Sequence, residues 1–285
     1  MIDKITLNDG NKIPQLGFGT YKAAEQEGID SVKFALQNGY RLLDTAAIYG
    51  NEVAVGKGIV ESEIPRNEIF LTTKLHRENL GYESAKKAFA ESLEKLKLDY
   101  VDLYLIHWPA NTKNYDNWQK ANSETWRAME ELQSEGKIKS IGVSNFRKKH
   151  LDALLEKAKV VPAVNQIEFH PGYWQPEVTK LCNDLSILVE AWSPLAKGKI
   201  FHNEILRSIA EKYGKTVSQV TLRWIIELGA VPIPKSTTSE RILENLEVFD
   251  FKLLPEDVSI ICELPVMGFS GELPNEWPDV VKVDH

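Results

Sequence analysis

Residues 39–52 read GYRLLDTAAIYGNE, and this stretch places an acid and a phenol just beyond a short apolar strand. The run from Tyr40 to Leu43 predicts the strand, Asp44 ends it, and Tyr49 follows after a turn of small residues. In a closed parallel barrel, the carboxyl ends of the strands form the face where side chains converge on a ligand. The stretch therefore predicts that Asp44 and Tyr49 belong to a functional face if the chain forms such a barrel.

The rest of the chain supplies eight strand-like segments with helical segments between them. We predict strands at Gln15 to Phe18, Tyr40 to Asp44, Ile69 to Lys74, Val101 to Ile106, Ile138 to Val143, Ala163 to Glu168, Ile187 to Trp192 and Ala230 to Ile233. Most are continuously apolar, which is typical of parallel strands covered on both faces. Eight such units in 285 residues predict an α/β fold, a (β/α)8 TIM barrel that forms a single domain over residues 1–285.

Two local patterns predict smaller features of the fold. Residues 2–7 alternate and are followed by the turn NDGN at 8–11 and by KIP at 12–14, so we expect an N-terminal β-hairpin. The sequence TVSQ at 216–219 predicts a capping box that opens a helix through Leu228.

The connecting segments also differ in composition. From Tyr82 to Leu96 the apolar residues recur at spacings of three and four, which predicts an amphipathic helix. The segments from Trp108 to Ala121 and from Pro265 to His285 are rich in Asn, Pro, Trp and Gly. We expect these two segments to be loops over a binding mouth.

An open doubly wound sheet is the alternative to a barrel. Against it, the sequence GFGTYK at 17–22 has Lys22 where a dinucleotide-binding fingerprint requires its third glycine or alanine. The segment from Gly50 to Gly58 also fails as a phosphate-binding loop, because its spacing is one residue too long and Gly58 replaces the Ser or Thr. The barrel is therefore the favoured architecture.

Charge and composition exclude several classes of function. The chain has 34 Lys and Arg against 41 Asp and Glu, a net charge of −7 that argues against a nucleic-acid partner. No apolar run approaches the roughly 20 residues that span a bilayer, so no membrane association is expected. The N-terminus has Asp3 and no apolar segment of a signal peptide, and Cys182 and Cys262 form no disulfide framework. We expect a cytoplasmic protein.

Four reactive side chains follow successive predicted strands: Asp44, Tyr49, Lys74 and His107. An ammonium group about 4 Å from a phenolate stabilises it by up to ~4 kcal/mol at an effective dielectric constant near 20. Lys74 could thus make Tyr49 a better acid, with Asp44 holding Lys74 and with His107 orienting the oxygen that receives the proton. Such a site reduces a carbonyl only if a hydride is available, and no amino acid supplies one, so a nicotinamide cofactor is implied.

The sequence resembles the aldo-keto reductases, in particular bacterial members such as diketogluconate reductases. The resemblance rests on GYRLLDTAAIYGNE at 39–52, VDLYLIHWP at 101–109, IGVSNF at 141–146 and IPKS at 233–236, and it covers essentially the whole chain. It implies NADPH-dependent reduction of aldehydes or ketones to alcohols, with Asp44, Tyr49, Lys74 and His107 as the catalytic tetrad and Tyr49 as the general acid. We also expect a monomer that acts on a small carbonyl compound and binds no metal.

The resemblance further implies where NADPH binds. Ser144, Asn145 and Gln166 match residues that bond the nicotinamide carboxamide, and Trp192 in AWSPL at 191–195 matches the ring that stacks on the nicotinamide. The remaining matched cofactor residues are Thr20, Asp44, Ser193, Leu195, Lys235, Ser236, Arg241, Glu244 and Asn245. Among them, Lys235, Ser236 and Arg241 match ligands of the 2′-phosphate, which implies a preference for NADPH over NADH. Glu244 and Asn245 match contacts to the adenine.

The substrate pocket departs from the family pattern. Many relatives carry Trp shortly after the tetrad lysine, whereas this chain reads KLHRE at 74–78, so either His76 lines the pocket or it is an exposed loop histidine. Tyr21 and Trp108 are expected to form an aromatic wall. The tail GFSGELPNEW at 268–277 resembles the short C-terminal loop of bacterial members.

Two other functions remain open at this point. Lys74 at a strand end could be a Schiff-base nucleophile, as in an aldolase. The same scaffold also serves as a nucleotide-sensing channel subunit and as a structural protein of the lens, although the intact tetrad argues against a non-enzymatic function.

Overall fold

The computed structural model describes residues 2–23 and 25–276, and it begins with the expected hairpin. Strands β1 (Lys4–Thr6) and β2 (Lys12–Pro14) pair antiparallel. Ile13 is fully buried and packs in one cluster with Leu42 and Phe70, which begin two strands of the barrel. The hairpin therefore closes the amino end of the barrel, and the carboxyl end is left for a binding site.

Eight parallel strands form one sheet in sequential order, as the sequence predicts. The strands are β3 (Phe18–Gly19), β4 (Leu42–Asp44), β5 (Phe70–Leu75), β6 (Val101–Ile106), β7 (Ile138–Ser144), β8 (Val164–Glu168), β9 (Leu188–Trp192) and β10 (Val231–Pro232). Each lies on or beside its predicted segment, because continuous apolar runs between helical segments define strand positions well.

The sheet closes into a barrel through the segment that contains β3. The backbone N–H of Gly17 donates to the carbonyl of Pro232 at 3.0 Å, and that of Gly19 donates to the carbonyl of Pro234 at 2.9 Å. A Cβ atom at Gly19 would lie only 2.9 Å from the carbonyl oxygen of Ile233. These glycines thus allow the first and last strands to approach each other, which confirms the (β/α)8 barrel over the open sheet.

Helices cover the barrel on the outside. They are α1 (Glu25–Gln37), α2 (Glu52–Glu61), α3 (Tyr82–Leu96), α4 (Trp118–Ser134), α5 (Lys148–Leu155), α6 (Pro176–Asp184), α7 (Glu204–Tyr213), α8 (Val217–Glu227), α9 (Ser239–Glu244) and α10 (Pro255–Cys262). The predicted capping box opens α8, where the Oγ1 of Thr216 accepts from the N–H of Gln219 at 3.2 Å and the side chain of Gln219 accepts from the N–H of Thr216 at 3.0 Å. Helix α3 has the predicted bounds. Within the described ranges, no helix is long and apolar enough to cross a membrane.

The two expected loops lie near the carboxyl end of the barrel. The first is shorter than predicted, because α4 begins at Trp118, where the side chain of Asn117 accepts from the N–H of Lys120 and caps the helix. The second is irregular from Pro265 to Glu276. Its continuation from Trp277 to His285 lies outside the described residues.

Polar side chains meet across the interior of the barrel near its carboxyl end. Asp44 on β4 accepts a hydrogen bond from Gln166 on β8 at 2.8 Å, although three strands separate β4 from β8 on either side. Both side chains therefore point inward from opposite walls. Below them the interior is apolar, since Leu42, Leu105 and Val164 belong to one buried cluster. The strand ends thus combine a dry floor with converging polar groups.

Candidate active site

A cavity of about 520 Å³ opens at the carboxyl ends of the strands, a size typical of small-molecule sites. It is lined by Gly19, Tyr21, Lys22, Asp44, Ile48, Tyr49, His107, Trp108, Asn145, Trp192, Ser193, Pro194, Leu195, Lys197, Ile233, Pro234, Lys235 and Glu272. The cavity therefore draws side chains from both halves of the chain.

Three of the four predicted catalytic residues are in direct contact. Lys74 is fully buried at the end of β5, and its Nζ lies 2.6 Å from Oδ1 of Asp44 and 3.3 Å from the phenolic oxygen of Tyr49. Its third bond goes to the carbonyl of Thr45 at 3.1 Å. A short 3-10 turn, Ala47–Tyr49, returns the chain over the strand ends and brings the phenol to the lysine.

The fourth, His107, follows β6 directly and faces the same cavity. Its ring centroid lies 5.7 Å from that of Tyr49 in an edge-to-face arrangement. Burial, followed by the positive charge of Lys74, holds the pKa of His107 well below its usual range. The imidazole is therefore neutral at physiological pH and can donate a hydrogen bond through one ring nitrogen.

The pKa of Tyr49 corrects one part of the sequence-based argument. Burial raises the pKa of this phenol above its ordinary value, and the ammonium of Lys74 acts in the opposite direction without outweighing burial. The negative charge of Asp44 also raises it. The expected net lowering of the Tyr49 pKa is therefore wrong for the free protein, because burial removes the phenolate from water and this cost exceeds the stabilisation by Lys74. Tyr49 stays protonated at neutral pH.

Lys74 remains an ammonium group. Burial alone favours the neutral amine, but the charge of Asp44 and the contact with Tyr49 outweigh it, so the pKa of Lys74 is raised above its ordinary value. A Schiff-base nucleophile needs a neutral amine and a lowered pKa. The electrostatics of Lys74 thus argue against the aldolase alternative.

Two expected nicotinamide residues, Asn145 and Trp192, line the cavity and bond to each other. The indole N–H of Trp192 donates to Oδ1 of Asn145 at 2.9 Å. Asn145 has a left-handed backbone with φ of 63°, and its Nδ2 donates to the carbonyl of His107 and to Oγ of Ser144, both at 3.1 Å. These bonds fix the plane of the Trp192 ring at the wall of the cavity.

Three other expected cofactor residues lie beneath the lining. Thr20 Oγ1 donates to the backbone carbonyl of Asp44 at 3.0 Å, and Ser144 Oγ donates to that of Gln166 at 2.8 Å. Gln166 donates through Nε2 to Asp44 and to Glu190, the latter at 2.9 Å. All three therefore hold the site together from within the barrel wall.

The residues expected at the phosphate and adenine end divide into two groups. Ser193, Leu195 and Lys235 line the cavity. The others lie on α9 or directly before or after it, outside the lining formed by the described residues: Ser236 precedes the helix, Arg241 and Glu244 lie on it, and Asn245 follows it. Arg241 is exposed, whereas Glu244 accepts from Oγ1 of Thr216 at 2.6 Å.

Both residues expected to form an aromatic wall are present in the cavity, whereas His76 is not part of its lining among the described residues. Tyr21 and Trp108 line the cavity, and the Tyr21 ring packs edge-on against Tyr49 with centroids 5.0 Å apart. His76 lies outside the lining among the residues described, and it faces Glu78, with 3.8 Å between the ring nitrogen and the carboxylate. Burial lowers its pKa. When it is protonated, the positive charge of His76 adds to the effects that lower the pKa of His107.

The described part of the C-terminal tail is tied to the end of β8. The side chain of Glu168 accepts from the backbone N–H of Ser270 at 2.9 Å and from its hydroxyl at 2.8 Å. Phe269 stacks on Tyr173 with centroids 4.3 Å apart. These contacts bring Glu272 to the mouth of the cavity.

Sequence reasoning missed four charged residues of the site. Lys22, Lys197 and Glu272 line the cavity from loops, whose course the sequence does not predict. Glu190 lies fully buried inside the barrel. A signal for Glu190 was present, because it precedes Trp192 by two residues in the same strand and so points to the same face.

Comparisons with known proteins agree with this geometry. A sequence model described as the Aldo/keto reductase family matches residues 15–265. Glyoxal reductase of Bacillus subtilis (strain 168) is 48% identical over 275 residues, which cover 96% of this chain and 97% of that protein. Methylglyoxal reductase DkgA of Escherichia coli (strain K12) is 44% identical over 275 residues, with coverage of 96% and 97%. A crystal structure of a Bombyx mori aldo-keto reductase in complex with NADP superimposes with a TM-score of 0.84 at 38% identity, covering 92% of each chain.

Proposed function

The chain belongs to the aldo/keto reductase family, and from this premise we propose which of its residues carry out the reaction and which hold the cofactor. The reaction is the NADPH-dependent reduction of an aldehyde or ketone to an alcohol. When bound, NADPH supplies the hydride for the carbonyl carbon. The proton must come from the protein, and Tyr49 is the proposed donor.

The contact between Lys74 and Tyr49 carries this assignment. Tyr49 is protonated at neutral pH, lines the cavity, and lies 3.3 Å from the ammonium of Lys74. As the proton leaves, negative charge develops on the phenolic oxygen, and the ammonium is already in place to stabilise it. Asp44 keeps Lys74 charged and oriented through the 2.6 Å contact. The buried pair thus lowers the barrier for proton donation without itself touching substrate.

His107 has a different proposed task. Its imidazole is neutral and faces the cavity beside Tyr49, so it can donate a hydrogen bond to the carbonyl oxygen and orient it toward the phenol. Because it is neutral, His107 adds no positive charge that would repel the ammonium group of Lys74. We assign proton transfer to Tyr49 and alignment to His107.

The cavity has the features that NADPH requires. Three lysines, Lys22, Lys197 and Lys235, supply positive charge for phosphate groups along its rim. The Trp192 ring is held by Asn145 and offers a flat face for the nicotinamide. Gly19 keeps part of the lining free of side chains. We further propose that Ser193 and Leu195 contact the cofactor within the cavity. At the far end, Lys235, Ser236 and Arg241 bind the 2′-phosphate, and Glu244 and Asn245 bind the adenine.

The proposed substrates are small dicarbonyl compounds. The two relatives named above reduce glyoxal and methylglyoxal by their names, and each matches nearly the full length of this chain. Tyr21, Ile48 and Trp108 form an apolar wall beside Tyr49, which suits a compact carbonyl compound without a bulky polar substituent. We also propose a single-domain cytoplasmic monomer. Its two cysteines are both free, as expected in a reducing compartment.

The decisive experiment replaces the proposed acid. Tyr49→Phe removes one hydroxyl and is expected to lower kcat for methylglyoxal by about 10²–10⁴-fold, the usual contribution of a general acid. NADPH binding, followed by quenching of tryptophan fluorescence, should be nearly unchanged. Full retained turnover would exclude Tyr49 as the donor. Tight NADPH binding by the wild type without turnover of any carbonyl in a substrate panel would instead favour a non-enzymatic function.

A further inference from the structure

A second carboxylate lies inside the barrel next to the catalytic cluster and has no part in the reaction as described so far. Glu190 on β9 is fully buried. Its Oε2 accepts one hydrogen bond, from Nε2 of Gln166 at 2.9 Å, while its Oε1 is buried without a hydrogen-bond partner among the described residues. An ionised carboxylate that is buried with a single hydrogen bond costs free energy, because it has lost its hydration. Its presence in an otherwise apolar strand calls for a functional reason.

Glu190 is connected to the proton donor through a continuous chain of contacts. The Nε2 of Gln166 donates both to Glu190 and to Oδ2 of Asp44, the latter at 2.8 Å. The other oxygen of Asp44 holds Lys74, which in turn contacts Tyr49. Three side chains therefore link Glu190 to the phenol.

The two carboxylates also fix the orientation of the Gln166 amide. Each of them accepts from the same NH₂ group, so the amide oxygen must point away from both. If the amide were flipped, its oxygen would face the acceptor of Asp44 and that hydrogen bond would be lost, and so would the bond to Glu190 whenever Glu190 is ionised. The resemblance to the family implies that Gln166 bonds the nicotinamide carboxamide. By holding the NH₂ group of Gln166, Glu190 and Asp44 leave its amide oxygen available for that contact.

We propose that Glu190 is a positioning residue of the carbonyl-reducing site, which fixes the Gln166 amide. By gaining or losing its own proton, Glu190 also changes the negative charge beside the Asp44–Lys74 pair, and with it the stability of a phenolate at Tyr49. The proposal rests on the proposed role of Tyr49 as the acid. No bond other than O–H forms or breaks at Glu190, and the proton it loses passes to solvent.

The surroundings of Glu190 determine the direction of the effect. The polar groups that face it are Asp44 from β4, Lys74 from β5 and Gln166 from β8, whereas its register partner on β10 is the apolar Val231. Burial, followed by the charge of Asp44, raises the pKa of Glu190 to about 8. Glu190 is therefore mostly neutral at pH 7 and becomes an anion at higher pH. The added negative charge opposes a phenolate at Tyr49, so proton donation should weaken as pH rises through this range.

The test compares the kcat of carbonyl reduction across pH 6–10 for the full-length wild type and Glu190→Gln. Glutamine has nearly the same shape and stays neutral at every pH. The matched control is Glu52→Gln, because Glu52 is also buried, accepts one side-chain bond, from Thr73 at 2.7 Å, and has its other oxygen without a partner among the described residues. Single-turnover rates with saturating NADPH and methylglyoxal separate chemistry from product release.

We expect the wild-type rate to fall as pH rises through about 8, and the Glu52→Gln rate to fall with it. Glu190→Gln should keep its rate through that range, with a rate at pH 6.5 within about threefold of the wild type. A role in packing alone would change stability but not the pH profile. Superimposable profiles for Glu190→Gln and wild type would overturn the proposal.

An infrared titration provides a measurement that does not depend on turnover. The wild type and Glu52→Gln should show the C=O stretch of a protonated buried carboxyl group at pH 6.5, and this band should disappear as pH rises through about 8. Glu190→Gln should lack it. If Glu190→Gln does not fold, the test is made on the wild type alone, labelled with ¹³C-glutamate. Absence of the protonated-carboxyl band at pH 6.5 would then overturn the proposal. If no carbonyl is reduced by any of the proteins, the proposed function fails, while a titrating band still supports proton exchange at Glu190.

Discussion

The ammonium nitrogen of Lys74 lies 3.3 Å from the phenolic oxygen of Tyr49, while the lysine side chain itself is fully buried. A buried charge of this kind persists only because Asp44 pairs with it, at 2.6 Å. The ion pair therefore has two separable effects, one on the stability of the barrel and one on the acidity of Tyr49. Substitutions at Asp44 and Lys74 can measure them independently.

The first prediction concerns Lys74→Met. It removes the charge that stabilises the phenolate, so kcat for carbonyl reduction should fall by about 10²–10⁴-fold. It also leaves Asp44 as an unpaired buried carboxylate, so the melting temperature should fall. The double variant Asp44→Asn, Lys74→Met should recover much of the thermal stability and none of the rate. Recovery of the rate together with the melting temperature would show that Lys74 has only a structural role.

Cofactor preference depends on Arg241, which is exposed on α9. If its guanidinium binds the 2′-phosphate, Arg241→Ala should raise the Kd of NADPH by about 10- to 150-fold and leave the Kd of NADH unchanged, because a charge-assisted hydrogen bond contributes ~1.5–3 kcal/mol. Isothermal titration with both nucleotides measures the difference. Arg127→Ala, which removes an exposed arginine of α4, is the control and should alter neither value. Equal losses for both nucleotides would contradict a 2′-phosphate contact.

The sequence predicted the strands, and it predicted that the four proposed catalytic side chains lie close together, because both depend on local patterns. Each barrel strand is a short apolar run between helices, and three of the four proposed catalytic side chains lie at strand ends, where parallel topology alone brings them together. Lys74, for example, ends the predicted segment from Ile69, and the structure extends β5 by one residue to Leu75. Tyr49 is brought to the same strand ends by the short 3-10 turn Ala47–Tyr49.

Features that depend on distant segments could not be predicted in this way. Ser270 bonds to Glu168 across 102 residues of sequence, and nothing in the tail indicates that partner. The pKa of Tyr49 was predicted in the wrong direction because it depends on burial, which is known only once the fold is known. Arg241 and Glu244 lie outside the cavity lining of the described residues, and their assignment still rests on resemblance.

The charge at the mouth of the cavity leads to a prediction about substrates. Glu272 lines the cavity near Lys197 and Glu168, and burial raises its pKa while Lys197 lowers it. A carboxylate at this place should repel substrates that carry a carboxylate of their own. Glu272→Gln should therefore raise kcat/KM for glyoxylate by about threefold to tenfold, equivalent to ~0.6–1.4 kcal/mol.

The same variant should leave kcat/KM for methylglyoxal, a neutral substrate, unchanged. Glu276→Gln is a suitable control because Glu276 is an exposed residue of the same tail and does not line the cavity. Steady-state assays at NADPH saturation provide both ratios. An equal change for the neutral and the charged substrate would show that Glu272 acts on the position of the tail and not on substrate charge.

The last prediction concerns acid stability and His150. This histidine is fully buried in α5, where its Nδ1 accepts from the backbone N–H of Arg147 at 3.2 Å and its ring packs edge-on against Trp118. Burial lowers its pKa from 6.5 to about 3. Between these two values the unfolded chain binds a proton at this residue and the folded chain does not. The free energy of unfolding must therefore decrease as pH falls below 6.5.

From these pKa values, His150 should contribute a loss of up to about 2 kcal/mol between pH 7.5 and pH 5. His150→Gln keeps an acceptor for the Arg147 N–H but has no proton to gain in this range, so urea unfolding should show a smaller difference between the two pH values. The variant will be less stable than the wild type at pH 7.5, because Gln packs less well against Trp118. His202→Gln, at an exposed histidine, should retain the wild-type difference. The pKa of His107 is also lowered by burial, so His107 should account for part of the decrease in unfolding free energy that His150→Gln still shows between pH 7.5 and pH 5. An unchanged pH difference in His150→Gln would mean that His150 is protonated in the folded protein.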